Sequence, residues 1–281
     1  MEGDKNMSDT RKWALVLGAS SGFGEATALK MAKEGFNVAG VHLDRAATMP
    51  NVERIKSEIE KQGVKALFFN INAADDAKRK EVLDTLENLP EGKAEVFMLL
   101  HSLAFGALRP YIDFGSETPL SKAQMEMTLD VMAHSLVYWT QGLFYRKMLA
   151  RKARIFAMTS SGGHISIPTY GAVSAAKAAL ESHCRQLSME LGDLEVAVSP
   201  IMAGVTDTPA LRKIPGNSPM INVAQRKNPR NRLTTPEDIA KIIALLCKDG
   251  GEWVSGGLIH ADGGEDVVNF NGQRADDSNL L

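Results

Sequence analysis

Trp13-Ala-Leu-Val-Leu17, Gly18-Ala-Ser-Ser-Gly22-Phe-Gly24 and Glu25-Ala-Thr-Ala-Leu-Lys-Met-Ala-Lys33 follow one another near the start of the chain. The first is a short apolar run, the second a Gly-rich turn and the third a helix-forming stretch, so the order reads strand, turn, helix. Gly18 permits a tight turn, Gly22 lets backbone approach a pyrophosphate, and Gly24 lets the helix pack on the strand. The helix N-terminus then faces the anion with its unpaired N–H groups. Gly-rich turns also occur as plain structural turns, so the flanks decide. A second strand pattern at 38–43 completes the unit and favours nucleotide binding.

The alternation continues outward. Strand patterns at 66–70, 95–100, 154–158, 195–199 and 258–260 are separated by helical patterns at 51–62, 75–88, 170–192 and 236–248, with helices filling the chain from 101 to 150. Such alternation predicts an α/β fold: a doubly wound parallel sheet of about seven strands with helices on both faces. No repeat or low-complexity linker divides the chain, which predicts one domain over 12–266, a flexible extension at 1–11 and a tail at 267–281. At 281 residues the core is ample.

A formal charge of −2 argues against a nucleic-acid or membrane-binding surface. Cys184 and Cys247 are far apart and lack metal-ligand spacing, so they read as buried apolar side chains in a reducing compartment, with no metal site. The first twelve residues are polar and charged, unlike a signal peptide, and no apolar run reaches membrane-spanning length. The expectation is a soluble cytoplasmic protein without nucleic-acid or membrane partners.

Ligands of doubly wound sheets sit beyond the carboxyl ends of the strands, so the residues after each strand carry the information. Asp44 and Arg45 follow the second strand. An Asp there accepts hydrogen bonds from an adenosine ribose, as in NADH, whereas an Arg pairs with the 2′-phosphate of NADPH; both are present, and the choice stays open. Asn70 and Asn72 could place an amide on an adenine edge or simply form a turn. His101 ends the fourth strand and is given no catalytic role. Thr159, Ser160 and Ser161, after the fifth, offer hydroxyls to a substrate carbonyl. After the sixth, backbone at Val205–Thr206 suits a carboxamide and Thr208 a diphosphate. The segment 209–231, rich in Pro, Asn and Met, suits a mobile lid over an apolar ligand.

Beyond Ser160 lies Tyr170-Gly-Ala-Val-Ser-Ala-Ala-Lys177. Pro168 and Thr169 suit a helix start, and the Ala-rich run propagates it. Seven residues are almost two turns, so Tyr170 and Lys177 share a face, about 10 Å apart along the axis. An ammonium on the face of a phenol favours the phenolate and makes a better acid near neutral pH.

Gly18-x3-Gly22-x-Gly24, a Ser ahead of a Tyr/Lys helix, and a closing Asp262-Gly-Gly264 resemble the short-chain dehydrogenase/reductases, over about residues 12–266. Ordinary members carry Tyr four residues before Lys, a position held here by Val173. The Tyr-x6-Lys spacing is instead similar to the enoyl-(acyl-carrier-protein) reductases of fatty-acid synthesis. So are His101-Ser-Leu-Ala-Phe and the 228–264 segment. Three departures accompany this: the glycine turn is the ordinary one, as in the triclosan-tolerant branch; Ser160 stands where common enoyl reductases carry a second Tyr; and Met132 replaces the ordinary catalytic Asn.

The resemblance implies a Rossmann-type fold, NADH or NADPH as cofactor, and Tyr170, Lys177 and Ser160 as catalytic residues. It implies Gly18, Ser20, Ser21, Gly22, Phe23, Gly24, Asp44, Arg45, Asn72, Ala73, Ser102, Leu103, Lys177, Gly204, Thr206 and Thr208 as cofactor-binding. The expected substrate is an enoyl thioester on acyl-carrier protein or CoA, and the expected assembly a homotetramer. A carrier protein is acidic, and Arg212, Lys213, Arg226, Lys227 and Arg230 could meet it. The alternatives are an alcohol dehydrogenase or ketoreductase on 3-oxoacyl, steroid or sugar substrates, and a catalytically silent NAD(P)-binding sensor.

Overall fold

Every strand-forming run of the chain enters one sheet. The computed structural model describes residues 12–115, 118–214 and 217–269. The strands are β1 (Lys12–Leu17), β2 (Asn37–His42), β3 (Ala66–Asn70), β4 (Glu95–His101), β5 (Leu149–Thr159), β6 (Ala197–Ala203) and β7 (Ile259–Ala261). All are parallel, in the order β3-β2-β1-β4-β5-β6-β7. Apolar residues on alternate sides of each strand feed two cores. In β1, Leu15 and Leu17 face one core and Ala14 and Val16 the other, all fully buried.

The first core is closed by α3 (Asp76–Glu87), α5 (Ser135–Tyr145) and α6 (Gly171–Glu190), through Leu83, Trp139 and Leu180 among others. The second is closed by α1 (Gly22–Lys33), α2 (Met49–Glu60) and α8 (Pro236–Leu246), through Met31, Ile55 and Ile243. Both faces of the sheet are therefore covered, as a parallel sheet requires.

Local chemistry sets the element ends. Thr235 and Asp238 cap α8 reciprocally, with Pro at its first turn. The fully buried Arg154 of β5 donates to the carbonyls of Leu246 and Lys248, at the other end of that helix, and pairs with Glu252 at 2.7 Å.

Three expectations are corrected. Helix was expected through residue 150, yet β5 begins at Leu149, because Ala150, Ala153, Ile155 and Ala157 alternate into the core. No helix was expected in the 209–231 lid segment, but α7 (Asn217–Lys227) lies within it. Pro168 and Thr169 do not start a helix: Thr169 has φ 61°, and α6 begins at Gly171 with Tyr170 as its N-cap. The extension at 1–11 and the tail from 270 fall outside the described residues.

Candidate active site

The carboxyl ends of β1, β4, β5 and β6 open into one cleft of about 220 Å³. At its β1 edge, Gly18 adopts φ +91°, and a Cβ there would stand 2.4 Å from the Ser102 carbonyl oxygen, so only glycine fits. Ser102 N–H in turn donates to Leu17 O, and Leu103 lies against the same glycine. Ser21, the N-cap of α1, makes no side-chain cap bond, which leaves the helix's first N–H groups unclaimed by it. That is the anion cradle expected of a dinucleotide diphosphate. Phe23, Gly204, Thr206 and Thr208 line the cleft beyond it.

Asp44 is held at the end of β2 by His42 Nδ1 at 3.0 Å. Although partial burial works the other way, hydrogen bonds from Ser20, Thr48 and His42 bring its carboxyl below the usual value. A carboxylate beside the glycine turn suits a ribose diol, while Arg45 stands exposed next to it. These residues fit a nicotinamide dinucleotide.

Other expected contacts are already engaged. Asn70 exchanges hydrogen bonds with the Asp44 backbone, joining β2 to β3. Asn72 accepts from Ala74 N–H, and the Ala73 carbonyl accepts from Trp139 Nε1 at 2.8 Å. Thr206 donates to Gly204 O, and Thr208 Oγ accepts from Leu211 N–H. His101 is fully buried, 2.8 Å from Ser135 Oγ, and burial pushes its imidazole down to about 3. It is a neutral structural histidine.

At the β5 edge the reactive groups meet. Ser160 Oγ accepts from Gly162 N–H at 3.0 Å, and Ser160 and Tyr170 both lie against Gly162. The ring lies so close over Gly162 that a Cβ there would be 2.5 Å from Cε1. Lys177, buried, donates to the Met158 carbonyl at 2.6 Å, and burial brings its ammonium down to about 8, against the opposing field of Glu181. The expected lowering of the phenol by Lys177 is not what the structure shows. Burial raises Tyr170 above its ordinary value, Ser160 works against that, and Lys177 is turned to Met158. The side chain thus stays a protonated donor at neutral pH.

An apolar wall is formed by Ala104, Leu108, Met132, Ile167, Val173 and Met202, while Lys213, Asp262, Glu265 and Asp266 line the cleft elsewhere. Met132 enters from a π-helical segment (Asp130–His134) between α4 (Lys122–Leu129) and α5, a local widening that is common at functional sites. Tyr170 is the only phenol among the described residues lining the cleft, and Val173 occupies the helical position between it and Lys177.

One cluster was not foreseen. Thr159, expected to offer its hydroxyl to substrate, donates it to Glu181 Oε1 at 2.6 Å. Glu181 is only 5% exposed and also meets His164 Nε2 at 3.1 and 3.2 Å. Its i+4 spacing from Lys177 was the available signal. Among the described residues no cluster suits a metal ion, and no helix is long and apolar enough to cross a membrane.

Residues 18–265 match the family described as enoyl-(acyl carrier protein) reductase. The chain is 27% identical to the 3-oxoacyl-(acyl-carrier-protein) reductase FabG of Pseudomonas aeruginosa, covering 92% of this chain and 98% of that one. It is 26% identical to the NADH-dependent enoyl-(acyl-carrier-protein) reductase FabI of Nostoc sp., covering 77% and 81%. The angucycline C-6 ketoreductase LanV, solved with bound NADP, shares the fold at a TM-score of 0.78 and 23% identity, covering 91% and 96%. With the dinucleotide cradle and the Ser160, Tyr170 and Lys177 cluster in place, the chain belongs to the short-chain dehydrogenase/reductases of the enoyl-(acyl carrier protein) reductase family, oxidoreductases that use NADH or NADPH.

Proposed function

We propose that the protein reduces the 2,3 double bond of an enoyl thioester carried on acyl-carrier protein or CoA, as a step of fatty-acid synthesis. The observation that carries this reading is the position of the phenol. Val173, a hydrocarbon, lines the cleft four residues before Lys177, and the donor is Tyr170, three residues further back. In carbonyl reduction, hydride and proton reach adjacent atoms. In reducing an enoyl thioester, hydride reaches the β-carbon while charge develops on the thioester oxygen, farther along the conjugated system. Moving the tyrosine three residues displaces its Cα by about 4.5 Å along a helix, in the sense that this longer separation asks for.

In this reading the nicotinamide, when bound, supplies the hydride. Tyr170 donates to the oxygen that becomes the enolate and stabilises its charge. Lys177 holds the ribose hydroxyls. Met132, Val173, Leu108 and Ile167 give the acyl chain an apolar wall. The 209–231 segment, with α7, serves as a lid. Lys213 lines the cleft and is the basic residue offered there to an acidic carrier, since Arg212 already pairs with Asp207 and Lys227 stands 4.0 Å from Asp266. A cytoplasmic homotetramer is the assembly proposed.

A second reading, carbonyl reduction of a 3-oxoacyl or related substrate, is favoured by the Ser160 and Tyr170 side chains lying together against Gly162. That placement lets both hydroxyls serve one oxygen. A 2-enoyl and a 3-oxoacyl thioester assayed side by side, each with NADH and NADPH, separate the two. Turnover confined to the 3-oxoacyl substrate overturns the enoyl assignment. Cofactor binding with no turnover of either would indicate a sensor.

A further inference from the structure

Lys177 is an ammonium 6% exposed, and a buried ion needs a counter-charge or it loses its proton. Its one hydrogen bond to a carbonyl satisfies a donor but supplies no full negative charge. The groups facing it divide cleanly. From β4, His101 is neutral, at about 3. From α6 itself, the Cys184 thiol is pushed up to about 12 by burial and so carries no charge. Also on α6, His183 is lowered by burial and pairs with His134 of the π-helical segment at 3.0 Å. The Tyr170 phenol and Ser160 are uncharged hydroxyls. This leaves Glu181, one helical turn beyond Lys177, as the carboxylate that acts on it.

Glu181 is unusually well held for a buried acid. Thr159 Oγ donates from the residue that follows Met158, the acceptor of Lys177, and His164 reaches both carboxylate oxygens from the loop after Ser160. That loop lies over both side chains: a Cβ on Gly163 would stand 3.4 Å from Lys177 Cβ and 3.5 Å from Glu181 Oε1. The side chains of Lys177 and Glu181 are therefore covered by one backbone segment and fixed by consecutive residues of one strand.

Resting on the reading of Tyr170 and Lys177 given above, we infer that Glu181 is a positioning residue for Lys177: a buried carboxylate, clamped by Thr159 and His164, that keeps the ammonium charged in the cleft wall. A purely structural tether between loop and helix would keep its function in Glu181→Gln, since an amide oxygen accepts the same two hydrogen bonds. The charge would not survive. His164, 51% exposed on its side chain, offers an independent route: His164→Lys sets a fixed cation against the carboxylate without touching the interior.

The experiment is an NMR titration of protein labelled at the lysine Cε carbon, with the Lys177 resonance assigned by its loss in Lys177→Met. The midpoint of Lys177, about 8 in the native chain, is expected to fall by about one pH unit in Glu181→Gln. It should also fall in His164→Lys and stay unchanged in His164→Gln. A midpoint that does not move in folded Glu181→Gln overturns the inference. Should that variant fail to fold, an unmoved midpoint in His164→Lys overturns it instead. The alkaline limb of kcat/KM is read in parallel. A midpoint that moves while the limb stays put leaves the coupling intact and counts against Lys177 acting in turnover, so the two readings fail separately.

Discussion

On the proposed reading, Tyr170 supplies the proton and Lys177 a charge that holds the cofactor ribose. Burial keeps the phenol protonated, so on the enoyl reading Tyr170→Phe should lower kcat/KM on an enoyl thioester by roughly a hundredfold or more, as measured by NAD(P)H oxidation with cofactor affinity followed separately. Ser160→Ala should cost under about tenfold if Tyr170 alone serves the oxygen, and as much as Tyr170→Phe if both hydroxyls do. For Lys177 the sign of the pH effect follows from its depressed value. Below about 8 it is an ammonium, and as pH rises through that value the charge is lost. kcat/KM should therefore fall on an alkaline limb near pH 8, and Lys177→Arg, charged throughout, should lose that limb whatever its absolute rate.

At the scale of elements, the cleft depends on strand ends and caps far from it. Arg154 joins β5 to the last turn of α8 and pairs with Glu252, its own side chain 2% exposed. Arg154→Met would leave three carbonyls and a carboxylate without their donor, and should cost about 3 kcal/mol in denaturant unfolding with the cofactor site unchanged. Thr235→Ala, which removes half of a reciprocal cap, should cost about 1 kcal/mol by the same measurement.

Most elements were legible because their signals are local. Glycines with left-handed φ, apolar runs of strand length and Thr235 before Pro236 each carry a short-range physical meaning. The start of α6 was not. Pro168-Thr169 suits a helix by propensity, but Thr169 sits at φ 61° with its hydroxyl buried and unpartnered. No sequence rule places a β-branched residue there, and only the tertiary setting of Tyr170 against Gly162 and Ser160 holds it. Likewise α7 was hidden by Pro219 and several Asn in a segment that read as a mobile lid.

For the whole molecule, the cofactor should act as a fold stabiliser, because the residues proposed to hold it follow β1, β2, β4 and β6. Saturation at a hundred times Kd should add about 2.7 kcal/mol to unfolding, seen as a rise in Tm with NADH or NADPH concentration. Whichever of the two raises Tm at lower concentration identifies the preferred dinucleotide and so decides between Asp44 and Arg45. The site itself was legible in its residue types but not in its wiring. Tyr170, Lys177, Ser160 and Val173 stood out by spacing. That Thr159 is committed to Glu181, and that Lys177 turns to a carbonyl rather than the phenol, depends on contacts between strand, loop and helix that spacing does not encode.

The strand order also governs how the chain is made. β1 is an interior strand, between β2 and β4, so Lys12–Leu17 must wait for Glu95–His101 before its second edge is paired. No two strands in this sheet form a hairpin, and each pairing closes only after a crossover has been synthesised. A nascent chain emerging N-terminus first can assemble β1, β2 and β3 with their two helices while an apolar edge stays open. That edge, Trp13-Ala-Leu-Val-Leu17, is where a stalled or truncated chain would aggregate. Arrest before residue 95 should give insoluble product, and later arrest should do the same as the open edge passes to β4 and then β5, until β6 is made.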